Sequence, residues 1–188
     1  EAVTLKEPDI KPYIKQIYGA TEYINNKLRY CLWLTNASPD IIRKSDFIRE
    51  RVQKVQEFRL DSPKEATKRS AATPTLFQEI RQPDKPYIIV PRHSSENRRY
   101  IPFGFVSPDI IVNDAVQIIP DANVYQFGIM MSNVHMAWTR AVCGRIKSDY
   151  RYSKDVVYNN FPWPAPTEQQ KAKIEQTAQA ILDARALY

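Results

Sequence analysis

The sequence predicts an α+β domain: a mixed, largely antiparallel sheet with flanking helices and a C-terminal helix. Three observations carry that expectation. Short runs rich in aromatic and β-branched residues, Tyr87 to Val90 and Tyr100 to Val106 foremost, are bounded by turn residues. Helix-start signals at Ser38-Pro39, Ser45, Ser132 and Thr167 precede apolar residues at helical spacing. The chain has 188 residues, 43% hydrophobic and 26% charged, enough for one domain with a core and ordinary for a soluble protein.

Taken in order, residues 1–10 read as a linker. Tyr13, Ile14, Ile17, Tyr18 and Tyr23 form a mixed aromatic segment, interrupted by Gly19 and ended by the turn signal Asn25-Asn26. Leu28 to Thr35 predicts a strand buried on both faces. Ser38 caps a helix with Pro39 at its first position. Ser45 caps another, with Ile48, Val52 and Val55 inward and Arg49, Arg51, Lys54 and Arg59 on a solvated face. Residues 61–73 are polar and predict a mobile loop or a short exposed helix. Thr75 to Ile80 is a short element, closed by Pro83 and Pro86. After Val106, Ile110 to Val112 and Ala115 to Ile119 read as two strands or one bent strand, and Val124 to Met131 as another. Ser132 or Asn133 then caps a helix with a buried stripe of Val134, Trp138, Ala141, Val142 and Ile146. His135, in its first turn, reads as a packing or capping histidine. Pro162 and Pro164 around Trp163 make a stiff exit. Thr167 to Gln170 is a capping box, opening a helix with Ile174, Ala178, Ile181 and Leu182 on one face and running toward a partner domain.

Between the two central strands lies Arg92-His93-Ser94-Ser95-Glu96-Asn97-Arg98-Arg99, a loop without an apolar residue. Its side chains match the chemistry of base edges and phosphate: Arg forks onto guanine or phosphate, Glu accepts from a cytosine amino group, and Asn pairs with adenine. The same composition is that of a solvated hairpin loop with structural ion pairs. Between residues 140 and 154, Arg140, Arg145, Lys147, Arg151 and Lys154 stand against the single acid Asp149, with Tyr150 and Tyr152 interleaved. Cations alternating with aromatics suit a sugar–phosphate surface, and equally a soluble edge strand. Lys64, Lys68 and Arg69 form a smaller cationic group that could order on a phosphate backbone. The net charge of +6 points the same way.

Catalytic signatures are absent from the sequence. It has no glycine-rich phosphate loop, HExxH, CxxC or GxSxG pattern. Asn159-Asn160-Phe161-Pro162 has the wrong order for the Asn-Pro-Pro-aromatic motif of amino-methyltransferases. Cys31 and Cys143 sit in apolar patterns and read as buried thiols in a reducing, cytoplasmic setting. No apolar run is long enough to span a bilayer, and no signal peptide opens the chain. It starts without a methionine and is expected to be a piece of a longer polypeptide. Metal binding is not expected, with His93 and His135 the only histidines. Two rivals to nucleic-acid binding stay open: a protein-interaction module of a larger enzyme, and a small enzyme with a pocket near His93 or His135.

The segments ASPDIIRK, FIRERVQKVQEFRLDS, TPTLFQEIRQPDKPYIIVPRHSSENRRYIPFGFV and SNVHMAWTRAVCGRIKSDYRYSKDVVYNNFPWP together resemble the C-terminal part of MmeI-like DNA methyltransferases, type IIG restriction–modification enzymes. The resemblance runs from about Tyr13 to Tyr188. It implies a target recognition domain over residues 11–166 and the start of a helical tail over 167–188. It also implies a parent protein that methylates adenine N6 with S-adenosylmethionine, through a methyltransferase domain in the same polypeptide, and no cofactor within this fragment. The partner it implies is double-stranded DNA. On that reading Arg92, Arg98, Arg99, Lys147 and Arg151 meet phosphate or guanine, and Lys68 and Arg69 a phosphate backbone. Ser94, Ser95 and Tyr152 donate to phosphate, and Glu96 and Asn97 read base edges. Glu96 and Arg98, two apart, would share one side of an extended backbone and address one base pair.

Overall fold

The structure, a computed structural model, describes residues 6–187. Two units divide the chain: one of residues up to Ile17 together with Leu28–Gln82, the other of Tyr18–Lys27 and everything from Pro83. The α+β class holds, but the strands form several small antiparallel sheets, not one mixed sheet. No helix among the described residues is long and apolar enough to cross a membrane.

In the first unit a 3-10 helix, Pro8–Tyr13, leads into strand β1, Ile14–Tyr18. β1 pairs antiparallel with β2, Tyr30–Leu32, Ile14 lying opposite Leu32. Part of the linker expected over residues 1–10 falls outside the described residues; within them, Ile10 is buried against Leu34 and Ile48. The strand expected over Leu28 to Thr35 is shorter and far from fully buried, with Leu28 and Tyr30 exposed. Helices α1, Pro39–Lys44, and α2, Asp46–Leu60, start at the expected caps: Ser45 Oγ accepts the Ile48 amide at 3.1 Å. Arg59, expected on the solvated face, is instead buried. Its guanidinium donates to the carbonyls of Ser70, Thr73 and Leu76 at 2.8, 3.0 and 2.7 Å. Those carbonyls lie in the 3-10 turn Ser70–Ala72 and the chain beyond it, after the short helix α3, Glu65–Arg69, and a forked donor can satisfy them together.

In the second unit β3, Tyr87–Pro91, is buried on both faces. It lies between β5, Gly104–Val106, and β7, Val116–Ile119; β4, His93–Ser94, belongs to another sheet, and β6 is Ile111–Val112. Successive β3 side chains point to opposite faces. Ile88 and Val90 pack with Phe103, Phe127 and Met130, whereas Tyr87 and Ile89 pack with Val106 and Val116.

The stretch read as a strand, Val124 to Met131, is a helix: α4, Val124–Met130. The Asn123 side chain accepts the Gln126 amide at 2.9 Å and Gln126 Oε1 accepts the Asn123 amide at 3.0 Å, a reciprocal cap that selects helix over strand. Helix α5, Asn133–Val142, starts at Ser132 as expected. Its buried stripe is His135, Met136 and Thr139, while Val134 is exposed. The C-terminal helix α6, Glu168–Arg185, has the expected Thr167–Gln170 box. Its apolar face is used within its own unit. A Cβ at Gly128 of α4 would stand 2.9 Å from both Ala178 and Ile174, so the glycine lets the two helices touch. Arg185 at the far end donates to the Phe103 carbonyl at 2.6 Å.

Candidate nucleic-acid interface

The central strand leaves one sheet and enters another. Pro91 pairs with Val116 of β7, and His93 pairs with Arg151 of β9, Asp149–Arg151. Arg92 is the corner between them. Its amide donates to the Ala115 carbonyl at 3.2 Å, and its carbonyl accepts the Tyr152 amide at 2.8 Å. With both backbone groups engaged, the loop that follows starts from a fixed point.

That loop is a β-turn, Ser95 to Arg98, closed by the Arg98 amide on the Ser95 carbonyl at 3.1 Å. Ser95 Oγ accepts the Asn97 amide at 3.3 Å. Asp149 Oδ1 accepts the Glu96 amide at 3.1 Å and ties the turn to the neighbouring hairpin. Glu96 and Arg98 are therefore the second and fourth residues of a turn, not two positions on an extended strand as their spacing had suggested. The side chains of Arg92, Glu96, Asn97, Arg98 and Arg99 are exposed. Arg99 leans over the Tyr100 ring at 5.5 Å, and Tyr100 Oη donates to Asn133 at 2.6 Å.

The hairpin is β8, Gly144–Ile146, with β9, and the sheet order is β4-β9-β8. Residues directly opposite one another share a face. Ser94, Tyr150 and Arg145 share one face, where Ser94 and Tyr150 are buried and the Arg145 guanidinium lies 3.9 Å over the Tyr150 ring. His93, Arg151 and Gly144 form a row on the other face, and all three are exposed. Lys147 is at the tip, also exposed.

Most of the residues singled out in the sequence thus belong to one small sheet, its preceding turn and its hairpin tip. Two do not present themselves as expected. Tyr152 is 2% exposed and its hydroxyl meets His135 Nε2 at 3.1 Å; Ser94 is 4% exposed, with an Oγ that is buried and unpartnered among the described residues. Neither hydroxyl is free to reach a phosphate, so both support the site from beneath. Ser95 is half-buried and Asn97 uses its Oγ. Lys68 and Arg69 are exposed on α3 in the other unit, with Lys68 3.6 Å from Glu65. His93, weighed in the sequence for an enzyme pocket and for a metal, stands beside Arg151, on the face opposite the buried Ser94 that follows it.

The other histidine is enclosed. His135 is 1% exposed, with Phe103, Phe161 and Tyr152 rings around it at 5.8, 4.9 and 5.9 Å. Phe161, in the segment compared with a methyltransferase motif, is thus a packing residue. The neutral ring shares its Nε2 with the Tyr152 hydroxyl. Burial holds its pKa down at about 4, against an ordinary 6.5. The unfolded chain therefore takes up this proton near pH 6.5 and the folded chain only near pH 4. Stability attributable to His135 is complete above pH 6.5 and falls as the pH drops toward 4, by up to about 3 kcal/mol. Denaturant unfolding at pH 7 and pH 4.5 should show that fall, and a His135→Gln variant should flatten it.

A cavity of about 470 Å³ lies in the first unit, lined by residues such as Ile14, Cys31, Phe47, Val52, Leu76 and Phe77. Neither histidine lines it.

Comparison with known proteins follows the same line. The family model "MmeI, target recognition domain" matches residues 1–165. The chain belongs to the MmeI target recognition domain family. It is 42% identical over 180 residues to DNA methyltransferase A of Bacillus subtilis (strain 168), covering 96% of this chain and 20% of that protein. A structure of the type IIL restriction–modification enzyme MmeI in complex with DNA superposes with a TM-score of 0.95 at 45% identity, covering 100% of this chain and 25% of that one. The solved relative is thus of type IIL, where the resemblance implies type IIG. This recognition domain spans only a quarter or less of the length of those relatives.

Proposed function

We propose that this chain reads a specific duplex DNA sequence and so directs a methyltransferase domain of the same polypeptide to its target. The observation that carries this is the turn at residues 95–98, closed by the Arg98 amide on the Ser95 carbonyl and held by the Glu96 amide on the Asp149 carboxylate, with Glu96, Asn97 and Arg98 displayed beside a cationic hairpin. A rigid turn is what base reading needs, because donors and acceptors must be held in register with base edges. Glu96, Asn97 and Arg98 address base edges. Arg92, Arg99, Lys147 and Arg151 hold phosphates, as do Lys68 and Arg69 of the other unit. Ser94 and Tyr152 keep the loop in position, and Ser95 closes the turn.

The parent methylates adenine N6. S-adenosylmethionine, the methyl donor, binds in the methyltransferase domain, and no residue of this chain is assigned to it. This chain supplies recognition and no chemistry. The test is Arg98→Ala in the parent protein, with methylated adenines mapped across host DNA. If Arg98 reads a base, the variant loses roughly 1–3 kcal/mol on the native site and relaxes its preference at one position. Uniform weakening on all sequences would remove Arg98 from base reading. Methyl transfer by the isolated chain would overturn the recognition-only role.

A further inference from the structure

The hairpin from Gly144 to Arg151 has its glycine and its lysine in places that folding alone would not choose. The chain has four glycines. At three of them a side chain would collide: with Asn113 and Glu22 at Gly19, with the Tyr23 hydroxyl at Gly104, and with Ala178 and Ile174 at Gly128. Gly144 differs. Its φ is not in the left-handed region, and an added Cβ would meet only the Arg151 carbonyl oxygen, at an ordinary 3.8 Å. A strand position of this kind is stabilised by almost any side chain, and glycine weakens it. Three residues on, Lys147 has φ 55°, a left-handed conformation that glycine adopts freely and lysine does not. The exchange of places costs stability twice within one hairpin, on the face already assigned to DNA.

Resting on that assignment, we infer that the row His93, Arg151, Gly144 is where one sugar–phosphate strand of the duplex lies closest to the protein. Glycine at 144 leaves bare main chain at the sheet edge, so the strand can lie against it. Arg151, between His93 and Gly144, supplies the cation under the phosphate, and Lys147 reaches the next phosphate from the tip. The acid on this face, Asp149, is one row nearer the tip, where it accepts the Glu96 amide. It holds the base-reading turn at a fixed height above the backbone contact.

The test uses the 188-residue chain, a short labelled DNA duplex and a salt series, with thermal unfolding of every variant. Gly144→Val should bind about tenfold more weakly, and Gly144→Ala less so, with melting temperatures equal to wild type or higher. Lys147→Gly should melt higher and bind more weakly, with a salt dependence shallower by about one unit. Wild-type affinity in Gly144→Val would overturn the inference while leaving the DNA-binding role intact. A lower melting temperature in Gly144→Ala would also overturn it, since the glycine would then serve the fold. Failure of the wild-type chain to bind any duplex would sink the proposed function itself, and this contact with it.

Discussion

Replacing Arg98, Arg99, Lys147 and Arg151 together by alanine should weaken duplex binding by about a hundredfold or more at moderate salt, and leave the fold intact. The four side chains are exposed on the turn and the hairpin. The nearest engagement among them is the loose approach of Arg99 to the Tyr100 ring, so their loss leaves no buried charge behind. Each lysine or arginine on a phosphate releases counterions when it binds, and each one lost reduces the slope of log affinity against log salt by about 0.9. Arg99, Lys147 and Arg151 are the three placed on phosphate, so the slope should fall by roughly three units. Binding that merely follows overall charge would behave differently. The chain carries a net charge of +6 and stays cationic after the change, so diffuse attraction would survive in large part. Titrations at several salt concentrations measure both quantities. An unchanged slope would remove the hairpin from the interface.

Phe103→Ala should cost about 3–5 kcal/mol of stability, because Phe103 is 1% exposed and its ring cannot be replaced by collapse of a rigid neighbourhood. The ring meets His135 and Tyr152 edge-on, at 5.8 and 5.3 Å. Tyr152 in turn holds the Arg92 carbonyl through its amide at 2.8 Å. The same cavity therefore loosens the corner from which the recognition loop starts. Denaturant unfolding should show the stability loss. Below the unfolding transition, DNA affinity should fall although no DNA-facing side chain has changed. A cost under about 1 kcal/mol would mean that the site relaxes around the hole, and that the ring cluster does not brace the loop.

Much of this was legible in the residues where a local signal has one meaning. Ser38, Ser45, Ser132 and Thr167 each cap the helix they announce, because a side-chain acceptor three residues ahead of a free amide serves little else. The apolar run from Val124 to Met131 has no such single meaning: its composition suits a strand, and only the pairing of Asn123 with Gln126 decides for helix. Arg59 misled for a different reason. Its position on the helix is polar by composition, and the carbonyls it serves, from Ser70 to Leu76, are distant in sequence. At the interface, the cationic loop and hairpin stood out, but not which side chains face outward. Along Asp149, Tyr150, Arg151 and Tyr152 exposure alternates, so Arg151 and Tyr152 cannot both face one ligand. Gly144 carries no signal of its own in the sequence. Its meaning depends on the empty space beside it.

Hydrogen exchange of the chain with and without bound duplex tests the central claim most directly, because it reads every backbone amide without altering a residue. A recognition face built on the turn and the hairpin predicts slowed exchange over residues 92–99 and 144–151, with the amides of helix α6 unchanged. Slowing confined to α6, with both of those segments exchanging as they do without DNA, would contradict it.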